Sequence, residues 1–429
     1  MRTMLWNICI LRKKGVLTLR RWSNTLSESS KHNVFAQIIL AVAFNFIPNE
    51  SLRPHFCHFA SSEADHISFT VKSHIRMIWQ RGWDPRNTFY NAYLITCPVP
   101  KNYEKLFTED YRLNRAAVTV LVDKCPNHQR TIQFIRVTNL QYSSKSALKR
   151  NETNSSNVFP RIGICVKGMD FLDGEITPMK MIEWIELQYA LGADSLTVYV
   201  YYIPIEIVKI FEFYSRNGKL TVIRLELPGE SPNMAFTRRD YTLRNRQQKR
   251  RHELIPYNDC FYRYVHDHHF VLIIDIDEVV VPLKTNTWQQ ILFEITKEQM
   301  GHARMDLSAL SVQNVFVFSG MNTPGSIFDI QERASIVQER GLYGKSFINT
   351  QSVATVFNHF ALHRLHANVS RTMYVDENIA LKFHFKNDCP YELKSKCTEL
   401  RASTIPDDFF RRYRNAISKN VDLTTKKIF

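Results

Sequence analysis

One stretch, Phe270 to Pro282 (FVLIIDIDEVVVP), restricts the fold more than any other part of this chain. Phe270 to Ile274 are apolar without a break, and Val279 to Val281 follow the acids Asp275, Asp277 and Glu278. A short, continuous, β-branched run reads as a strand buried on both faces, the habit of parallel sheets. Carboxylates are very costly in a dry core. These three therefore belong at the strand's carboxyl end, where open α/β sheets bind ligands. Strand alternation sends Asp275 and Asp277 to one side and Glu278 to the other, which leaves Glu278 a local supporting role. Two carboxylates converging on one point suit a hard divalent cation carrying phosphate oxygens. A surface turn with solvated acids is the competing reading, and the flanking valines argue against it.

From Arg161 the pattern alternates between strand and helix. RIGICVKG reads as a strand, and Thr177-Pro178 caps and opens a helix that Gly192 closes. Met181, Ile182, Ile185 and Tyr189 share one face of it. SLTVYVYY is the next strand, 204–217 a second amphipathic helix ended by Gly218, and KLTVIRLEL a third strand. A βαβαβ series of this kind predicts a parallel sheet with right-handed crossovers, extended by the 270–274 strand. The expected fold is thus α/β, a Rossmann-type, mostly parallel sheet flanked by helices over residues 158–400. A smaller β-rich domain at 55–148 precedes it, and 143–157 is a polar linker. A basic extension follows at 401–429.

Residues 1–33 are basic, with Glu28 the one acid. An apolar run, 34–47, comes next, and with it 34–50 reads as a signal anchor and the start of a stem. Positive charge ahead of such a run predicts a cytoplasmic tail and a luminal remainder, a single-pass type II arrangement in the Golgi or ER membrane. The run is short for a bilayer, and a signal-peptide core or a buried helix competes with this reading. The eight cysteines include no Cys-x-x-Cys pair, which argues against zinc ribbons and thioredoxin-type chemistry. Sequons at Asn49, Asn151, Asn154 and Asn368, with the cysteines, favour an oxidising lumen. Cys389 and Cys397 bracket a short loop and read as a disulfide rather than a zinc site. The net charge of +15 is spread over short clusters with no nucleic-acid-binding signature, so an acidic substrate or a membrane surface fits better.

An apolar strand followed by Asp-x-Asp resembles the metal-and-nucleotide motif of sugar-nucleotide-dependent glycosyltransferases. Further segments, in order, resemble glycosyltransferase family 92 over roughly 85–390. They are Glu183 to Leu187 with Leu191-Gly192-Ala193, Phe213-Tyr214 ahead of Gly218, Glu253 to Arg263, Asp275 to Pro282, Lys345-Ser346 with His359, and His384. This chain has His384-Phe385-Lys386 where that family usually shows His-Tyr-Arg. The resemblance implies a GT-A-like transferase using a UDP-sugar, UDP-galactose in the first instance. It would add a β-linked hexose to a glycan acceptor, with inversion, in the Golgi. It also implies that Asp275 and Asp277 hold Mn²⁺ or Mg²⁺ against the donor diphosphate and that His384 completes the metal shell.

A carboxylate must take the proton of the attacking hydroxyl. Asp329, Glu332, Asp376 and Glu377 are the acids in the C-terminal region that could supply it. The arginine-rich stretch 236–253 reads as a solvated helix face and His266-Asp267-His268-His269 as a surface turn. Trp184 and Trp288 read as core. Two rivals remain: a non-catalytic glycan-binding protein of the same fold, and a haloacid-dehalogenase-type phosphatase with the first Asp as nucleophile. The phosphatase reading wants Gly-Thr where Glu278-Val279 stands.

Overall fold

Thr177 and Gly192 bracket a helix as their chemistry demands. The Thr177 hydroxyl accepts from the Lys180 amide at 3.3 Å, and Gly192 ends the helix at φ 118°, a left-handed conformation that a side chain would strain. This helix belongs to a computed structural model that describes residues 18–21, 36–44, 56–61, 68–80, 82–84, 90–100, 102, 116–121, 135–136, 159–170, 174–228, 231–265, 267–300 and 307–429. Most of the basic 1–33 segment, the 143–157 linker and the sequons at Asn49, Asn151 and Asn154 lie outside the described residues. The chain divides into two units, one of residues 1–151 and 225–266, the other of 152–224 and 267–429.

The first unit holds two antiparallel four-stranded sheets. One orders Thr18–Arg21, Ala36–Phe44, Asn91–Pro98 and His74–Met77; the other orders Ser68–Lys72, Phe56–Ser61, Ala116–Leu121 and Ile135–Arg136. Cys57 and Cys97 form a disulfide within the unit. The 34–47 run, expected as an anchoring helix, is instead a strand over Ala36–Phe44. It pairs antiparallel with Asn91–Pro98, Gln37 opposite Pro98 and Phe44 opposite Asn91. A short apolar run carries no period that separates strand from helix, so the neighbouring strand decides. Among the described residues no helix is long and apolar enough to cross a membrane.

The 236–253 stretch forms parts of two helices, Ala235–Arg244 and Arg246–Tyr264, and is not wholly solvated. Arg238 and Arg251 are buried. Arg251 reaches Asn91 at 3.0 Å and Asp84 at 3.4 Å and lies over Trp79, because a buried guanidinium needs partners for its donors.

The second unit is built on a seven-stranded sheet. Its elements, labelled in chain order, begin with β1 (Ile162–Asp170), α1 (Pro178–Leu191), β2 (Ser195–Tyr202), α2 (Ile205–Arg216), β3 (Leu220–Arg224), β4 (Phe270–Ile274) and β5 (Glu278–Pro282). They continue with α3 (Trp288–Met300), β6 (Ala309–Val312), β7 (Asn314–Val317), β8 (Lys345–Asn349), β9 (Met373–Tyr374), β10 (Ala380–Phe385) and α4 (Phe409–Ile428). The order is β3-β2-β1-β4-β8-β6-β9, parallel from β3 through β4, with β8 antiparallel to both of its neighbours. The predicted βαβαβ series and its extension by β4 are therefore present.

Every residue of β4 is buried, as its lack of polar breaks requires. Met181, Ile182, Trp184, Ile185 and Leu187 of α1 are also fully covered, each burial contributing about 1.5–3 kcal/mol for the larger side chains. Residues 401–429 are no appendage. Phe409, Phe410, Tyr413, Ile417 and Val421 of α4 join the same core.

β5 leaves the large sheet and enters a second one, ordered β5-β10-β7. Trp184 and Trp288 are core residues with a purpose there. Their indole N–H groups donate to the carbonyls of Glu278 and Val280 at 2.9 and 2.8 Å, pinning β5 just after the acids. The 267–269 part of the histidine stretch is only partly a surface turn. His268 is buried, its ring 3.1 Å from the Ser195 hydroxyl.

Candidate active site

The acids do not continue the strand. The chain turns at Asp275 to Glu278, where the Glu278 amide donates to the Asp275 carbonyl at 3.0 Å and the Asp275 amide donates to Glu278 Oε2 at 3.0 Å. Reversal at this turn cancels the alternation expected of a strand, and Glu278 joins the charged cluster instead of pointing away from it.

Topology decides which cations meet the turn. β1 runs parallel to β4 with Val166 opposite Ile274. The next residue, Lys167, thus arrives beside Asp275, its Nζ 3.3 Å from Oδ1. β8 runs antiparallel to β4 and brings its first residue, Lys345, to the same end. Lys345 Nζ lies 3.4 Å from Asp275 Oδ2, 3.4 Å from Glu278 Oε2 and 2.7 Å from Asn358 Oδ1. On the second sheet His384 stands opposite Glu278. Lys382, two residues away on the same face, reaches Glu278 Oε1. Just past β10, Lys386 Nζ is 2.5 Å from Asp277 Oδ2, and His384 Nε2 is 3.4 Å from that same oxygen.

Charge is strongly coupled here. Burial pushes the Asp275 carboxyl up, but the ammonium groups of Lys167 and Lys345 outweigh it and hold it at about 2. Burial raises Asp277 too, yet contacts with His384 and Lys386 keep it well below the usual carboxylate range. Glu278 follows the same pattern, with Lys345 and Lys382 overcoming burial. Burial and the Lys382 charge push the His384 imidazole down, only partly opposed by Asp277, so the ring is neutral near pH 7. It also stacks on Phe316 with centroids 5.6 Å apart.

The acids considered as a base do not join this cluster. Asp329 caps a short helical turn through the Ser326 amide and pairs with Arg414 at 2.6 Å. Asp376 accepts from the Asn378 amide at 2.8 Å in a local turn. Glu332 and Glu377 are exposed, Glu332 on a two-stranded ribbon with Thr404–Pro406. Cys389 and Cys397 form the expected disulfide. A cavity of about 550 Å³ lies between β2, β3 and α2, lined by Tyr201, Tyr202, Phe211, Arg216 and Arg224 among others, and no residue of the acidic turn borders it.

Asp275, Asp277 and His384 do not form a closed metal cage. Among the described residues no three His, Cys, Asp or Glu side chains converge to hold an ion. The donor set fits a different arrangement, a cation that shares its shell with diphosphate oxygens. Mg²⁺ in particular favours one or two carboxylates plus phosphate over an all-protein cage. Asp277 Oδ2 and His384 Nε2 converge, and Asp275 Oδ1 is buried with no hydrogen bond among the described residues, its neighbour there the Lys167 ammonium at 3.3 Å. His384 Nδ1 likewise lacks a hydrogen bond, while Nε2 faces the Asp277 carboxylate; with the proton moved to Nδ1, Nε2 would turn its lone pair to a cation.

Lys167 and Lys382 went unnoticed in the sequence, although each left a signal. A lone lysine inside ALKFHF, or closing IGICVK, sits in an otherwise apolar strand and needs a carboxylate partner.

Three comparisons place this arrangement among known proteins. No curated protein matches the chain by sequence. Two solved structures, S. aureus TarS 1–349 alone and in complex with UDP, are each 13% identical with a TM-score of 0.29. Each match covers 52% of this chain and 60% of the other, short of two thirds of that chain's length. A 4-diphosphocytidyl-2C-methyl-D-erythritol synthase is 14% identical with a TM-score of 0.18, over 45% of this chain and 74% of the other. These likenesses are too slight to bear on activity. The profile of glycosyltransferase family 92 matches residues 161–421, which span β1 through most of α4 and include every charged residue of the acidic turn. With most of its length covered by that match, the chain belongs to glycosyltransferase family 92.

Proposed function

We propose that the second unit transfers a hexose, galactose in the first instance, from a UDP-sugar to a hydroxyl of a glycan acceptor with inversion. One observation carries the reading: the acidic turn lies at the carboxyl end of β4, the central strand of the seven-stranded sheet and the last of its parallel run, ringed by lysines. That is where an open α/β sheet takes its ligand, and the ring of charge suits a diphosphate.

Asp277 and His384, with Asp275 beside them, are the residues that would hold Mn²⁺ or Mg²⁺. Such a cation supplies neutralising charge to the donor diphosphate and the leaving UDP. The protein's own part is to fix these groups. Glu278 anchors the turn from below, and Lys345 holds Asp275 from the strand beside it. Attack by the acceptor hydroxyl on the face opposite UDP inverts the anomeric centre, its proton passing to a carboxylate.

The purified full chain, incubated with UDP-galactose and Mn²⁺, is expected to release UDP, and EDTA to suppress the release. No release from any UDP-sugar with Mn²⁺ would sink the reading. Turnover of a simple phosphoester in its place would favour a phosphatase.

We also infer a lumenal site of action in the Golgi or ER. The disulfides Cys57–Cys97 and Cys389–Cys397 suit an oxidising compartment. Asn368, in the sequon Asn368-Val369-Ser370, is exposed in a turn after the strand Ala361–Arg364. In secretory cells Asn368→Gln is expected to remove one step of glycosidase-sensitive mobility. An unchanged pattern would count against glycan at this site.

A further inference from the structure

The four lysines at the acidic turn fall into two kinds. Lys345 and Lys382 are fully buried and tie down Glu278 and Asp275. Lys167 and Lys386 remain 29% and 35% exposed, and they pair with Asp275 and Asp277. The buried pair cannot leave without stranding charges in the core. The partly exposed pair is free to move, because each of these ammonium groups still reaches water. Lysine also acts as a point charge on a flexible stem, with no planar geometry to preserve. Four ammonium groups against three carboxylates leave these ion pairs one positive charge to the good. The turn is therefore attractive to an anion through the protein's own charge.

We propose that Lys386 is an exchangeable counter-ion, neutralising Asp277 as seen here and moving to the diphosphate when a nucleoside diphosphate binds. Two consequences follow from the single contact at Asp277 Oδ2. The diphosphate is held by lysine charge without help from a divalent cation. Asp277 and His384 are uncovered for a cation once the diphosphate has drawn Lys386 away. Lys386 thereby links the two binding events, since a cation arriving alone must compete with an ammonium group 2.5 Å from the oxygen it needs. This rests on the donor reading above and deepens it by naming the group that grips the diphosphate.

The test is calorimetry of UDP with the full chain in EDTA, comparing wild type with Lys386→Met and Lys386→Arg. Wild type is expected to bind UDP in EDTA, less tightly as salt rises. Lys386→Met should weaken that binding about 10-fold, the loss of one charge-assisted hydrogen bond, and Lys386→Arg should retain most of it. Mn²⁺ binding without UDP, followed by electron paramagnetic resonance, should be tighter in Lys386→Met because the competitor for Asp277 is gone. A merely structural lysine would not produce that gain. UDP binding that requires Mn²⁺ in wild type, or EDTA-state affinity untouched by Lys386→Met, overturns the proposal while leaving the donor reading intact. Absence of UDP binding both with and without Mn²⁺ overturns the two together.

Discussion

Asp277→Asn is expected to reduce UDP release by about 10²–10³-fold, the cost typical of removing one preorganised charge-stabilising group from a reacting centre. The substitution keeps the shape of the side chain and its place at the mouth of the turn. What it removes is the charge on the one oxygen that both Lys386 and His384 face, at 2.5 and 3.4 Å. Asp277 is held ionised across the working pH range by those neighbours despite burial, so the wild-type charge is always present and its loss complete. Backbone contacts of the turn do not depend on it. The Phe385 amide donates to the Asp277 carbonyl, at 2.8 Å, and an asparagine carbonyl serves as well. Losing the pairing with Lys386 and His384 should lower stability, as a carboxyl held below its ordinary value requires. The loss should be smaller than the Glu278 defect below, because Asp277 and Lys386 are partly open to water, while turnover falls far more. Turnover near the wild-type rate would remove Asp277 from the chemistry.

Glu278→Gln should behave in the opposite way, as a stability defect. Glu278 is buried and bonded to Lys382 and to the Asp275 amide, with Lys345 Nζ 3.4 Å away. Removing its charge leaves two fully buried ammonium groups short of a counter-ion, and breaking such a pair typically costs about 3–5 kcal/mol. Adding Lys382→Met to the same chain should recover part of the loss, because the stranded charge goes with it. The defect is also pH-dependent. Lys345 and Lys382 hold the Glu278 carboxyl below its ordinary value in the folded state. Its contribution is therefore fully present above pH 4.5, the ordinary glutamate value. It is lost as pH falls through the depressed folded value, since the unfolded chain takes up the proton first. Urea titrations of wild type, single and double variants at neutral and acidic pH read this directly. Equal stability of wild type and Glu278→Gln at pH 7 would mean that the lysines have other partners.

The two substitutions separate roles that sit one residue apart in the chain. The separation comes from the turn, and the turn is where reading from sequence failed. Alternation along an extended strand put Asp275 and Asp277 together and turned Glu278 away; a reversal of four residues gathered all three around shared lysines. A similar limit applied to Ala36–Phe44. An apolar run of that length satisfies a strand or a short helix equally well, and pairing with Asn91–Pro98 chose the strand.

Sequence alone determined the alternating strands and helices of 161–224, the buried run of β4 and the position of the acids at its end. Each follows from local physics: apolar period, capping residues and the cost of burying charge. The disulfide between Cys389 and Cys397 was legible for the same reason, since a short bracketed loop leaves few alternatives. Only the tertiary structure decided which cations meet the acids. Lys167, Lys345, Lys382 and Lys386 come from three strands and a strand end scattered over more than two hundred residues. Their meeting depends on sheet order and register, which no local pattern encodes. Charge pairing in a buried site is a non-local property, set by which strand lies beside which.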